Sequence, residues 1–73
     1  MLFRSRFYHL NGETLLARGR VDDALLNFAP AIRIYDHPLY RESLARAYTK
    51  AGRLTEAEGE YRHLIDLDRK SVV

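Results

Sequence analysis

Cysteine is absent from this chain, so any catalytic or ligand-binding constellation has to come from histidine, serine, carboxylate and glycine. Disulfides and thiolate metal sites are thereby excluded. The histidines, His9, His37 and His63, are not spaced as ligands on one helix face, and no carboxylate pair completes a metal-binding set with them. His37, beside Pro38, reads as a turn residue and His63 as a residue on the outer side of its helix; all three are expected at the surface. Ser5, Ser43 and Ser71 lack the sharp-turn setting of a nucleophile elbow. Gly12, Gly19, Gly52 and Gly59 form neither G-x-G-x-x-G nor G-x-x-x-x-G-K-[S/T], so no phosphate-cradling loop is present. The expectation is a protein with no enzymatic activity, no metal and no cofactor.

The elements that carry these residues must fit into 73 residues, enough for one small domain. With 47% hydrophobic and 30% charged residues the chain is not disordered by composition. No run of about 18 apolar residues spans a membrane. Met1–Leu10 carries Arg4, Arg6 and His9 and has no apolar segment of signal-peptide type, so a cytoplasmic location is expected.

The net charge of +2 and the pI near 9.2 invite a nucleic-acid reading. The excess, however, lies at the ends. Setting aside Arg4, Arg69, Lys70 and Asp68 leaves nine basic against nine acidic residues. Within the body the signs interleave, as in Arg53, Glu56, Glu58, Glu60 and Arg62, which describes a solvated helical surface. A helix-turn-helix reader is also disfavoured because the helix opening near Thr55 is acidic where phosphates would lie. Neither nucleic acid nor membrane is expected as a partner.

Both ends carry a second signal. The tail Asp68-Arg69-Lys70-Ser71-Val72-Val73 resembles the translation of a short-read sequencing adapter, GAT-CGG-AAG-AGC-GTC-GTG, and the head Leu2-Phe3-Arg4-Ser5 resembles the complementary adapter end, CTC-TTC-CGA-TCT. The two matches, one at each end and in the correct orientation, predict that residues 1–5 and 68–73 are adapter-derived and that 6–67 is a fragment of something longer.

The body contains an internal repeat. At an offset of 33 residues, Gly19-Arg20-Val21-Asp22-Asp23-Ala24 falls on Gly52-Arg53-Leu54-Thr55-Glu56-Ala57. Phe7 falls on Tyr40, Gly12 on Ala45, Leu15 on Tyr48, Phe28 on Tyr61 and Ile32 on Ile65. Such a period marks a two-helix unit stacked on copies of itself. Leu44, Ala45, Ala47 and Tyr48 share one helix face, and Leu54, Ala57, Tyr61, Leu64 and Ile65 share another, both read as core. Gly19 and Gly52 suit helix C-caps. Tyr35-Asp36-His37-Pro38 separates the units, with Pro38 tolerated as a turn residue or at a helix start. These signals predict an all-α chain of four helices in two antiparallel hairpins. Pro30 predicts a kink near Leu26–Pro30, and Gly59 costs its helix about 1 kcal/mol.

The set Leu44-Ala45, Tyr48, Gly52, Leu54, Ala57, Tyr61 and Leu64 is similar to the tetratricopeptide repeat. The family's small residues at the tightest helix contact are matched by Ala45 and Ala57, and by Gly12 and Ala24 in the first unit, with repeat one about 5–37 and repeat two about 38–68. The departures are Arg41 in place of the leading aromatic, Asn11 in place of leucine, and a missing closing proline. The resemblance implies an α-solenoid fragment, a non-catalytic scaffold holding a peptide or partner segment on a groove lined by the first helix of each repeat. It puts Arg6, His9, Glu13 and Leu16, then Glu42, Arg46, Thr49 and Lys50, on that groove. The Lys and Asn clamp that the family uses for a terminal carboxylate is replaced by His9, Glu13 and Ser43, which disfavours that ligand class. Two other readings are an accessory repeat segment of a larger signalling or regulatory protein, such as a kinase or transcription regulator, and a small helical protein that associates with itself through exposed repeat faces. Two units lack the capping helix that closes a repeat array, so low stability or self-association is expected.

Overall fold

Gly19 and Gly52 end two helices by the same mechanism. In the computed structural model, which describes residues 2–71, the chain forms α1 (Leu2–Ala17), α2 (Val21–Ile34), α3 (Pro38–Lys50) and α4 (Leu54–Ser71). At the end of α1 the Gly19 N–H donates to the Leu16 carbonyl (3.0 Å) and the Arg20 N–H to the Leu15 carbonyl (2.9 Å). At the end of α3 the Gly52 N–H donates to the Thr49 carbonyl (3.1 Å) and the Arg53 N–H to the Tyr48 carbonyl (2.9 Å). Both are Schellman caps, which need a residue in the left-handed region; φ is 80° at Gly19 and 77° at Gly52. The repeat extends to the next helix start. Arg20 pairs with Asp23 at 2.7 Å and Arg53 with Glu56 at 2.6 Å, each three residues on. Arg53 also lies over the Tyr48 ring, 5.1 Å from its centre.

Helix α3 starts differently. The Leu39 N–H donates to His37 Nδ1 at 3.0 Å, so the imidazole caps the helix, and Pro38 occupies the first turn, where a missing N–H costs nothing. His37 is thus a turn residue with a structural task. Asp22 and Asp23 in the first turn of α2 and Arg33 in its last suit the helix dipole.

Helix α1 packs on α2, α2 on α3, and α3 on α4, with a smaller contact between α1 and α3. The hairpin partners are antiparallel: Gly12 meets Phe28 and Asn11 donates to Asn27 across one turn, while Arg41 meets Glu60 across the other. Leu16, Ala24, Phe28, Leu44 and Ala47 form the core, with Leu15, Val21, Leu25, Ile32 and Tyr48 packed against it. Burying a side chain the size of Phe28 stabilises by about 1.5–3 kcal/mol. The expected all-α architecture of two stacked hairpins is therefore present.

Three expectations are corrected. Of the α4 stripe read as core, only Ala57 is buried; Leu64 is half-buried, and Leu54, Tyr61 and Ile65 are exposed. Among the described residues α4 packs on α3 alone, so its far side has no cover. Leu16, read as a groove residue, is 4% exposed and belongs to the core, because α2 and α3 close over it. His9, read as a surface residue, is half-buried between α1 and α3. Helices α1 and α4 extend over residues 2–5 and 68–71, and Ser5 is fully buried. Met1, Val72 and Val73 lie outside the described residues. At Pro30 the helix does not stop: α2 continues to Ile34. The Leu26 carbonyl, deprived of its donor by Pro30, belongs to an exposed residue, where solvent can replace the bond.

Candidate partner-binding groove

Positions 33 or 34 residues apart in the chain meet between α1 and α3. The His9 ring stacks on Tyr40, with centres 4.5 Å apart, and lies 5.8 Å from Phe28. His9 Nε2 is 2.8 Å from Ser43 Oγ. Arg46 Nη2 donates to Glu13 Oε1 at 2.9 Å and to Ser43 Oγ at 3.1 Å. Glu13 and Arg46 are equivalent positions of the two repeats, so the stack is tied by a bond from one repeat to its own counterpart.

Ser43 Oγ accepts from Arg46, and its one hydroxyl proton has two acceptors in reach, His9 Nε2 at 2.8 Å and the Leu39 carbonyl at 3.2 Å. A histidine and a serine in hydrogen-bond contact are the residue types of an activated nucleophile, which must be open to its substrate. Ser43 is 1% exposed. Burial holds the His9 pKa below the ordinary imidazole value; Glu13 opposes this, and Arg46 and His37 reinforce it. His9 is therefore neutral at neutral pH, and its 3.7 Å approach to Glu13 is not an ion pair there.

Beside this network the aromatic residues enclose a cavity. Tyr35, His37 and Tyr40 pack in edge and tilted contacts 5.5–6.4 Å apart. With Arg6, His9, Leu10 and Leu39 they line a volume of about 480 Å³ that contains no carboxylate. The loop that forms one wall is anchored by Arg41, which binds Asp36 through two bonds of 2.8 and 2.7 Å and reaches Glu60 on α4 at 3.1 Å. Those bonds hold the Asp36 carboxyl below the usual carboxylate range and the Arg41 guanidinium above its ordinary value.

Of the residues expected on the groove, Arg6, His9, Glu13 and Arg46 are brought together along α1 and α3. Glu42 is exposed on α3 outside the network. Thr49 donates to the Ala45 carbonyl of its own helix at 2.9 Å, and Lys50 lies in the last turn of α3. Tyr35, His37, Leu39 and Tyr40 were not among the expected site residues. Their one signal in the sequence is aromatic density around Pro38. Among the described residues, no group of three or more His, Asp or Glu side chains is placed to hold a metal ion, and no helix is long and apolar enough to cross a membrane. Comparison with family models, with curated proteins and with solved structures finds no match.

Proposed function

We propose that the chain is a non-catalytic protein-interaction module of tetratricopeptide-repeat type that holds a partner segment along α1 and α3. The observation that carries this reading is the open, carboxylate-free cavity of about 480 Å³ beside the His9–Tyr40 stack, rimmed by Arg6. Aromatic walls and a single cation suit an apolar or aromatic side chain flanked by an acidic one. The Glu13–Arg46 bridge fixes the spacing of the two helices and so preorganises the groove.

The test is to pan a random peptide library on the immobilised chain. Enriched peptides are expected to carry an apolar residue next to an acidic one, and to lose binding at least about tenfold with Arg6→Glu, a loss of about 1.4 kcal/mol. Arg33→Glu, on α2, should leave binding unchanged. Peptides indifferent to Arg6→Glu, or no enrichment at all, refute the proposal.

A further inference from the structure

Among the described residues, two exposed apolar faces correspond, at the repeat offset, to the two sides of an interface the chain makes internally. Inside the molecule α3 docks on the first hairpin: Leu44 and Ala47 share a core cluster with Phe28 of α2, with Leu25 and Ile32 packed against it, while Tyr40 and Ser43 meet His9 of α1. Moved back by the repeat offset of 33, the docking face of α3 becomes Phe7, Leu10 and Asn11 on α1, in place of Tyr40, Ser43 and Leu44. Moved forward, the receiving face of α2 becomes Glu58, Tyr61 and Ile65 on α4, in place of Leu25, Phe28 and Ile32. Phe7 is 63% exposed, Leu10 61%, Tyr61 40% and Ile65 56%, whereas Phe28 and Ser43 are buried. Phe3, Arg6, Phe7 and Leu10 also surround a hollow of about 260 Å³ on α1.

We infer that a second copy of this chain docks its α1 on α4 of the first, repeating the α2·α3 contact between molecules. The substitutions keep in step on the two sides. Where the internal contact sets Leu25 and Leu44 in one apolar cluster, the intermolecular one has Glu58 and Asn11, which bond Arg62 and Asn27 of their own chain through one group each and keep further acceptor and donor capacity. Charge favours the same partner. Up to Gly12, α1 carries Arg4 and Arg6 and no carboxylate, while α4 carries Asp66 and Glu58, the latter paired with Arg62 of the same helix at 2.7 Å; Glu56 and Glu60 are turned to Arg53 and Arg41. The contact is head-to-tail, so each docked copy leaves one face open and assembly proceeds beyond the dimer. It overlaps the groove at Arg6 and Leu10, which also line the cavity, and is told apart from groove binding by Tyr61 and Ile65 on α4, which do not.

The test is sedimentation velocity of the full chain over a concentration series, with two variants at exposed sites. The weight-average mass of the wild type is expected to pass the dimer value as concentration rises towards about 1 mM, the weak end of specific association, and to fall at high salt. Phe7→Glu blocks the docking face and Ile65→Glu the receiving face, so each variant alone should be monomeric. Their equimolar mixture should give a one-to-one dimer and nothing larger, because one intact face of each kind remains. Leu10→Lys and Tyr61→Lys provide a second pair with the same expected pattern, and unchanged far-ultraviolet circular dichroism checks the fold of each. A wild type that stays monomeric, a Phe7→Glu variant that still dimerises, or a mixture with no dimer overturns the proposal.

Discussion

The same substitution, glycine to alanine inside a helix, should have opposite effects at Gly12 and Gly59. Replacing a mid-helix glycine with alanine gains about 1 kcal/mol from propensity alone. At Gly59 nothing lies within 4 Å of the added methyl, so the full gain is expected. At Gly12 the methyl carbon would sit 2.6, 2.8 and 3.0 Å from three ring carbons of Phe28. Carbon–carbon contacts are comfortable at about 3.5–4.0 Å, so ring and helix must separate by roughly 1 Å. The ring is fully buried in the cluster with Ala24, Leu44 and Ala47, which leaves it little room to yield. Overpacking of a close-packed site costs about 1–3 kcal/mol. Taking the upper half of that range, Gly12→Ala ends about 1–2 kcal/mol below wild type, and the two variants differ by about 2–3 kcal/mol. For a domain of this size each kcal/mol moves Tm by roughly 4–8 °C. Thermal and urea unfolding followed by circular dichroism, at one fixed low protein concentration, measures both. Adding Phe28→Leu to Gly12→Ala should recover part of the loss, a coupling of at least about 0.5 kcal/mol in a double-mutant cycle. If Gly12→Ala melts at or above wild type, the close contact of α1 and α2 at that ring does not limit the fold, and the reasoning fails.

Gly52→Ala tests backbone strain apart from packing. Nothing lies near its added methyl either, but φ of 77° puts alanine in the left-handed region, and urea unfolding should show a loss of about 1–2 kcal/mol where Gly59→Ala shows a gain. His9 should make stability depend on pH. Its folded pKa is lowered by burial, so the unfolded chain binds more protons in the window between that value and the ordinary one of about 6.5. Stability should therefore rise with pH through this window and level off above it, and His9→Gln should flatten that part of the urea-midpoint profile. A wild-type profile that falls as pH rises there contradicts the lowering of the His9 pKa by burial.

What could be read in the sequence, and what could not, separates along a physical line. Local signals identified both C-cap glycines and the acidic opening of α2, because each depends on backbone conformation or on residues within one turn, and matching the chain against itself identified the repeat; Pro38 suited a turn as well as a helix start. Apolar periodicity identified the sides of the helices that tend to be buried. It could not say which of them find a neighbour. The Leu54–Tyr61–Ile65 stripe on α4 has the same spacing as the buried stripe of α2 yet lies open, because burial depends on a helix from elsewhere in space. For the same reason Leu16 moved from the groove to the core, and His9 from the surface to a stacked position against Tyr40. The His9–Ser43 and Glu13–Arg46 bonds join residues 34 and 33 positions apart. The repeat offset is written in the sequence, but only the way α1 lies against α3 turns it into contact. The chain's residues determined four helices, their caps and their order; the packing decided which faces are core, which form a groove and which remain open to a partner.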